Sequence, residues 1–167
     1  GGGKTALGAY IARRDIHMKA YGPSKVALIH GPATFSGMGE GCITAIEALN
    51  VLYDENLIDN SAAMGTRLLE GLRGLQQKHP RVIKEVRGLG LMQGVELVED
   101  RGSKQPASKR ANLLLDVMKR RRVLIGKGGL YGNTLRIAPP MLVEESQIDE
   151  LLHHLDGALG EVAQAAI

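Results

Sequence analysis

Between Arg81 and Val98 the chain reads RVIKEVRGLGLMQGVELV, a strand or extended segment, a glycine turn and a second strand. Further on, VLIGKGG and TLRIAPP are two short strands with a Gly-rich loop between them. Helical periodicity alternates with these strands. Met64, Leu68, Leu72 and Leu75 recur at helical spacing, in a helix that Asn60 or Ser61 caps and that Pro80 stops. From Ser108 to Arg122 the pattern is amphipathic, with Leu114, Val117 and Met118 inward. The stretch EESQIDELLHHLDGAL is a last helix with acid in its first turn, as the macrodipole favours. Strands and helices in this alternation predict an α/β or α+β module.

The first third reads differently. Residues 6–13, ALGAYIAR, are short, apolar and β-compatible, which predicts a buried strand. A brief helix is expected near Asp15 to Ala20. The stretch YGPSKVALIHGPATFSGMGEG is rich in Gly, Pro, Ser and Thr and reads as a long structured loop; such loops are usually functional. From Gly41 to about Glu55, Ile43, Ile46, Leu49 and Leu52 predict a helix. The change of pattern at roughly Asp54–Asn60 marks a candidate domain boundary.

Composition narrows the function classes. With one Phe, four Tyr and no Trp, the core rests on aliphatic residues, and a base-stacking platform for RNA is not supported. A formal charge of +3 falls short of a nucleic-acid footprint. Cys42 is the sole cysteine, so an intrachain disulfide and a multi-cysteine metal site are excluded. No apolar run approaches the roughly 18 residues that span a bilayer. The chain lacks an initiator Met and reads as part of something longer, so the absence of a leader carries no weight.

Several motifs invite chemistry. Gly3-Lys4-Thr5 looks like the tail of a phosphate-binding P-loop, yet the earlier glycine of that motif is missing and a strand, not a helix, is expected to come next. Lys119–Arg122, KRRR, could meet phosphates; its position at a helix end favours a solvated cap, where each cation contributes about 0.3–1 kcal/mol. His79, His153 and His154 have no second ligand at metal spacing. His17 and His30 flank the long loop, and His30 could touch a cofactor there. Thr34 and Ser36 sit on a Gly/Pro-framed loop before a helix, suited either to an anion or to an N-cap. Arg136 lies in a short apolar strand closed by two prolines. It is either a surface residue or a rigid fork for a substrate carboxylate.

Four stretches, GGGKTALGA, ATFSGMGEGCITAIEALNVL, VRGLGLMQGVEL and LIGKGGLYGNTLRIAPPM, occur in the order and at the separations of one family. Together they resemble the C-terminal part of a class III aminotransferase, a pyridoxal-phosphate enzyme of fold type I. The resemblance implies an α/β chain with an α+β small domain. Residues 1–58 would be a remnant of the large cofactor domain and residues 59–167 the small C-terminal domain. It implies pyridoxal 5'-phosphate as cofactor, a homodimer, small-molecule amino donors and 2-oxo acids as partners, and a cytoplasmic location. It assigns Thr34 and Phe35 to cofactor binding, the Thr34 hydroxyl holding phosphate across the dimer, and Arg136 to the substrate carboxylate. The cofactor-bearing lysine is expected upstream of Gly1, and Lys4 is not in its place. One departure stands out: Met38 and Gly39 replace the usual Asn-Pro, and Glu40 adds a carboxylate. Two rivals remain on the residues alone, a non-catalytic interaction module with the same small domain and a P-loop nucleotide binder.

Overall fold

The computed structural model of the 167-residue chain describes residues 4–22 and 37–165. The chain divides into two compact units, Gly1–Asn56 and Leu57–Ile167.

In the first unit, α1 spans Arg14–Tyr21 and α2 spans Gly39–Asp54, both as the sequence predicts. The strand expected at residues 6–13 is not formed. Residues 7–13 have no regular structure, and Tyr10 and Ile11 are 73% and 99% exposed. A β-compatible run becomes a strand only where a neighbour takes its hydrogen bonds, and no described segment pairs with this one. The apolar residues Ile43, Ile46 and Leu49 of α2 are exposed as well. Gly41 is the buried position of α2; a β-carbon there would lie 3.3 Å from Met38 Cε and 3.6 Å from Thr5 Oγ1. Asn56, with φ +51°, closes the turn after α2, a left-handed position that Asn tolerates better than most residues. The loop expected between Tyr21 and Gly41 falls largely outside the described residues.

The second unit runs α3 (Leu57–Lys78), β1 (Ile83–Leu89), β2 (Met92–Leu97), α4 (Ser108–Arg120), β3 (Gly126–Gly128), β4 (Thr134–Ile137) and α5 (Glu145–Gln164). The four strands form one antiparallel sheet in the order β1-β2-β4-β3. Leu68 and Leu72 of α3, Leu114 and Met118 of α4, and Leu155 and Leu159 of α5 are fully buried with Val95, Leu97 and Leu135 of the sheet. The alternation Gln93–Val95–Leu97 on β2 and Leu135–Ile137 on β4 turns these side chains into the core. Gly94, Glu96, Thr134 and Arg136 therefore share the other face.

The start of α3 corrects the sequence reading. The helix begins at Leu57, so Asn60 is inside it and is no cap. Its amide donates instead to the carbonyls of Met141 (2.7 Å) and Val143 (3.1 Å). The last helix does carry a capping box, formed by Glu144 and Gln147. KRRR behaves as a solvated helix end: Arg120 and Arg121 both reach Glu161, at 2.9 and 3.5 Å.

Two close approaches set the position of α3. Gly65 packs on the β1–β2 turn, where a β-carbon would come within 2.4–2.6 Å of the Gly90 backbone. At the far end, Asp156 of α5 takes both Lys78 and His79, the latter at 2.7 Å. Lys78, then His79, hold the Asp156 carboxyl below the usual carboxylate range.

Two outcomes are expected in the intact protein. Gly65→Ala should lower the melting temperature although alanine is the better helix former, because the forced backbone shift costs about 1–3 kcal/mol. Gly74→Ala, in the same helix with nothing within 4 Å of its added carbon, should raise it slightly. Equal shifts for the two variants would contradict the contact. The second concerns acid. A carboxyl whose folded pKa is depressed contributes stability above its unfolded pKa and loses it as pH falls through the folded value. The difference in melting temperature between the parent and Asp156→Asn should be open at neutral pH and close below about pH 4. A difference that stays constant through that window would mean the aspartate charge is not what binds α5 to α3.

Candidate functional site

Strand β4 is four residues long and is anchored by Leu135 and Ile137, which are 0% and 2% exposed. Period-two alternation then leaves Arg136 on the outer face. Beyond it, Pro139 and Pro140 end the strand, and Val143 N–H donates to the Pro140 carbonyl at 3.0 Å. The two carbonyls that Asn60 binds come directly after, so the stretch from Arg136 to Val143 is tied at both ends.

Arg136 lines a groove of about 770 Å³ together with Ile125, Gly126, Pro139, Pro140 and, across it, Glu150 of α5. Its cross-strand partners are Gly94 on β2 and Gly126 on β3. A β-carbon on Gly126 would lie 3.4 Å from Arg136 Nε and 3.5 Å from Nη2, so the guanidinium rests over that glycine. Among the described residues, no group takes a hydrogen bond or ion pair from the guanidinium of Arg136, whose main chain is paired in the sheet.

The carboxylates of the same sheet face are already committed. Glu96 receives Lys84 and Arg87, each at 2.9 Å, and Glu85 receives Arg87 at 3.1 Å. The hydrogen bond from Lys84 leads in holding the Glu96 carboxyl below its usual range, with Arg87 assisting against burial. Arg87 lies in the same cross-strand row as Arg136, on the far side of Gly94. Of the two arginines in that row, one is neutralised by glutamates and the other is left open. An open, planar, rigidly mounted guanidinium is the donor set that fits a carboxylate.

Thr34, Phe35, Ser36 and His30 lie outside the described residues. Lys4 is exposed in a turn, and among the described residues no helix begins before α1 at Arg14, so the strand–loop–helix context of a P-loop is not present there. The rings of His17 and Tyr21 lie tilted at 48° with centroids 5.4 Å apart, and His153 and His154 are neighbours on α5. His79 is the Asp156 partner already described. Glu40, the departure from the family pattern, sits in the first turn of α2, where its charge suits the helix dipole. Two positions paired with Arg136 in the sheet, Gly94 on β2 and Gly126 at the groove, do not stand out in the sequence. The available signal was a glycine inside a strand, which marks a bulge or a close approach.

Comparison with known proteins agrees with the motifs. The family model for class-III aminotransferases matches residues 1–159. The chain is similar to the taurine–pyruvate aminotransferase of Bilophila wadsworthia, 40% identical over 137 residues, which cover 79% of this chain and 30% of that protein. The solved structure of a Bacillus anthracis aminotransferase superposes with a TM-score of 0.76 at 31% identity, covering 89% of this chain and 34% of the other. A Pseudomonas jessenii omega transaminase solved in complex with PMP gives 0.65 at 28% identity, over 72% and 26%. The chain thus spans about a third or less of the length of these relatives. With the match covering both units, the chain belongs to the class-III aminotransferases.

Proposed function

We propose that this chain is part of a pyridoxal-phosphate enzyme that moves an amino group from an amine or amino acid to a 2-oxo acid. The observation that carries this reading, within the family, is Arg136. It is the open guanidinium of its row, on a strand held by buried neighbours, facing a groove. Every 2-oxo acid acceptor presents a carboxylate, and a two-pronged donor binds it in one orientation.

The proposal includes a homodimer in the cytoplasm. It takes residues 1–58 as belonging to the large cofactor domain and residues 59–167 as the small domain. Among the described residues, no helix is long and apolar enough to cross a membrane. Pyridoxal phosphate, when bound, supplies an electron sink for the carbon that carries the amine. Arg136 holds the substrate by its carboxylate and so fixes which face of that carbon is presented. Thr34 would donate its hydroxyl to the cofactor phosphate, and Phe35 would pack beside it. The apolar wall of Ile125, Pro139 and Pro140 limits water near the carboxylate, which strengthens its pairing with Arg136. The relative named for taurine and pyruvate supports the same division, an amine donor and a 2-oxo acid acceptor.

Arg136→Lys in the full-length enzyme keeps the charge and loses the fork. It should raise KM for 2-oxo acids about tenfold or more, the loss of one charged hydrogen bond. Steady-state kinetics with several oxo acids checks this, and unchanged KM throughout would remove Arg136 from substrate binding. Thr34→Val is close to isosteric and deletes only the hydroxyl's bonding. The variant should lose cofactor on dialysis faster than the parent while its apo form melts at nearly the same temperature. Retention equal to the parent's would remove Thr34 from cofactor binding.

A further inference from the structure

The loop GKGGLYGN contains four glycines, and backbone conformation accounts for two of them. Gly129 and Gly132 have φ of +82° and +62°, where a side chain is strained. Gly128 faces open space. Gly126 is different. Its φ is not in the left-handed region, and it pairs as an ordinary strand residue with Arg136. Backbone geometry would accept any side chain there.

What a side chain at 126 would meet is the guanidinium of Arg136. The β-carbon alone would sit at contact distance, 3.4 Å from Nε and 3.5 Å from Nη2. A branched side chain such as valine would send at least one γ-carbon further toward the guanidinium. On the other flank Gly94 is also bare, and its added carbon would be 3.4 Å from Thr134 Cγ2 and 3.6 Å from the Arg87 carbonyl. Gly94 too has no left-handed φ to explain it. Arg136 therefore stands between two strand positions that could hold side chains and do not. In an antiparallel sheet, directly opposed residues are the ones whose side chains touch.

We propose that Gly126 is a positioning residue for the substrate carboxylate: by leaving its strand position bare, it gives the Nε–Nη2 edge of the Arg136 guanidinium room over β3 and so sets the direction of the fork. The inference rests on the carboxylate role of Arg136 and adds what sets its orientation. That direction matters because a bidentate pair needs two parallel N–H groups directed at one carboxylate, whereas a point charge needs only proximity. A side chain at 126 would tilt the guanidinium, leaving its charge in the groove and its fork misaligned.

The test uses the full-length holoenzyme and its two half-reactions, each followed by the cofactor's absorbance. Pyruvate is the carboxylate probe, and benzylamine is the probe without a carboxylate. Gly126→Val should raise KM for pyruvate about tenfold more than KM for benzylamine, the size of one lost charged hydrogen bond. Gly126→Ala, which only reaches contact distance, should show the same preference at roughly threefold and serves if the valine variant does not fold. Adding Gly126→Val to Arg136→Lys should produce no further selective loss, because the fork is already gone. Equal changes for the two probes, or a full further loss in the double variant, would overturn the positioning role. If Arg136→Lys itself leaves the pyruvate KM unchanged, the carboxylate reading fails first, and that result is distinct from Gly126 variants that behave like the parent beside a sensitive Arg136→Lys.

Discussion

A β-strand shows successive side chains to opposite faces, so each residue that anchors it in a core obliges its neighbour to point away. In this protein the second unit depends on that constraint at β4. Leu135 and Ile137 bind the strand to the helices, and their burial is what holds Arg136 outward. Slipping the register by one residue would bury the guanidinium and expose two leucine-sized side chains. Neighbouring elements add to the hold: β2 and β3 flank the strand, the paired prolines end it, and Asn60 fastens the carbonyls of Met141 and Val143 to α3. The groove is rigid because its backbone is tied on several sides, while the guanidinium of Arg136 is left open within it.

The helical side of the sheet is held by shape more than by charge. Gly65 lets the β1–β2 turn approach α3, and Gly71 lets Leu152 of α5 do the same from the other side. Exposed pairs such as Arg67–Asp149, bidentate at 3.0 and 2.7 Å, align α3 with α5 yet lie in water, where such pairs contribute about 0–1 kcal/mol. Glu96 does something else. By taking Lys84 and Arg87 together it removes the carboxylate that stands nearest, in register, to the open arginine.

Much of this was legible in the sequence, and the reasons differ by residue. Met64, Leu68, Leu72 and Leu75 declared a helix because their spacing is local and their partners need not be known. The β1–β2 hairpin was readable from its glycine turn, and the outward turn of Arg136 from alternation alone. Residues 6–13 were misread because a strand's existence depends on a neighbour that composition does not reveal. Asn60 looked like a cap because its side chain usually bonds within its own turn, whereas here its acceptors lie 81 and 83 residues away. The open state of Arg136 was not readable at all; it depends on which glutamates the fold delivers to Arg87. The roles of Thr34 and Phe35 came from the family resemblance, with no spacing that demanded them.

The two faces of the sheet are coupled to the fold to different degrees. Residues 95, 97, 135 and 137 are buried and coupled to three helices, so a change there is felt as lost stability. Positions 87, 94, 126 and 136 form one cross-strand row on the outer face and share little packing with that core. A lineage can therefore rewrite the row while the scaffold stays folded, moving the cation, filling a glycine or releasing Arg87 from its glutamates. Each rewriting would present a different head-group pattern on an unchanged frame. Such separation of fold from recognition is what makes a scaffold evolvable, and here it comes from nothing more than the two-residue repeat of a four-residue strand.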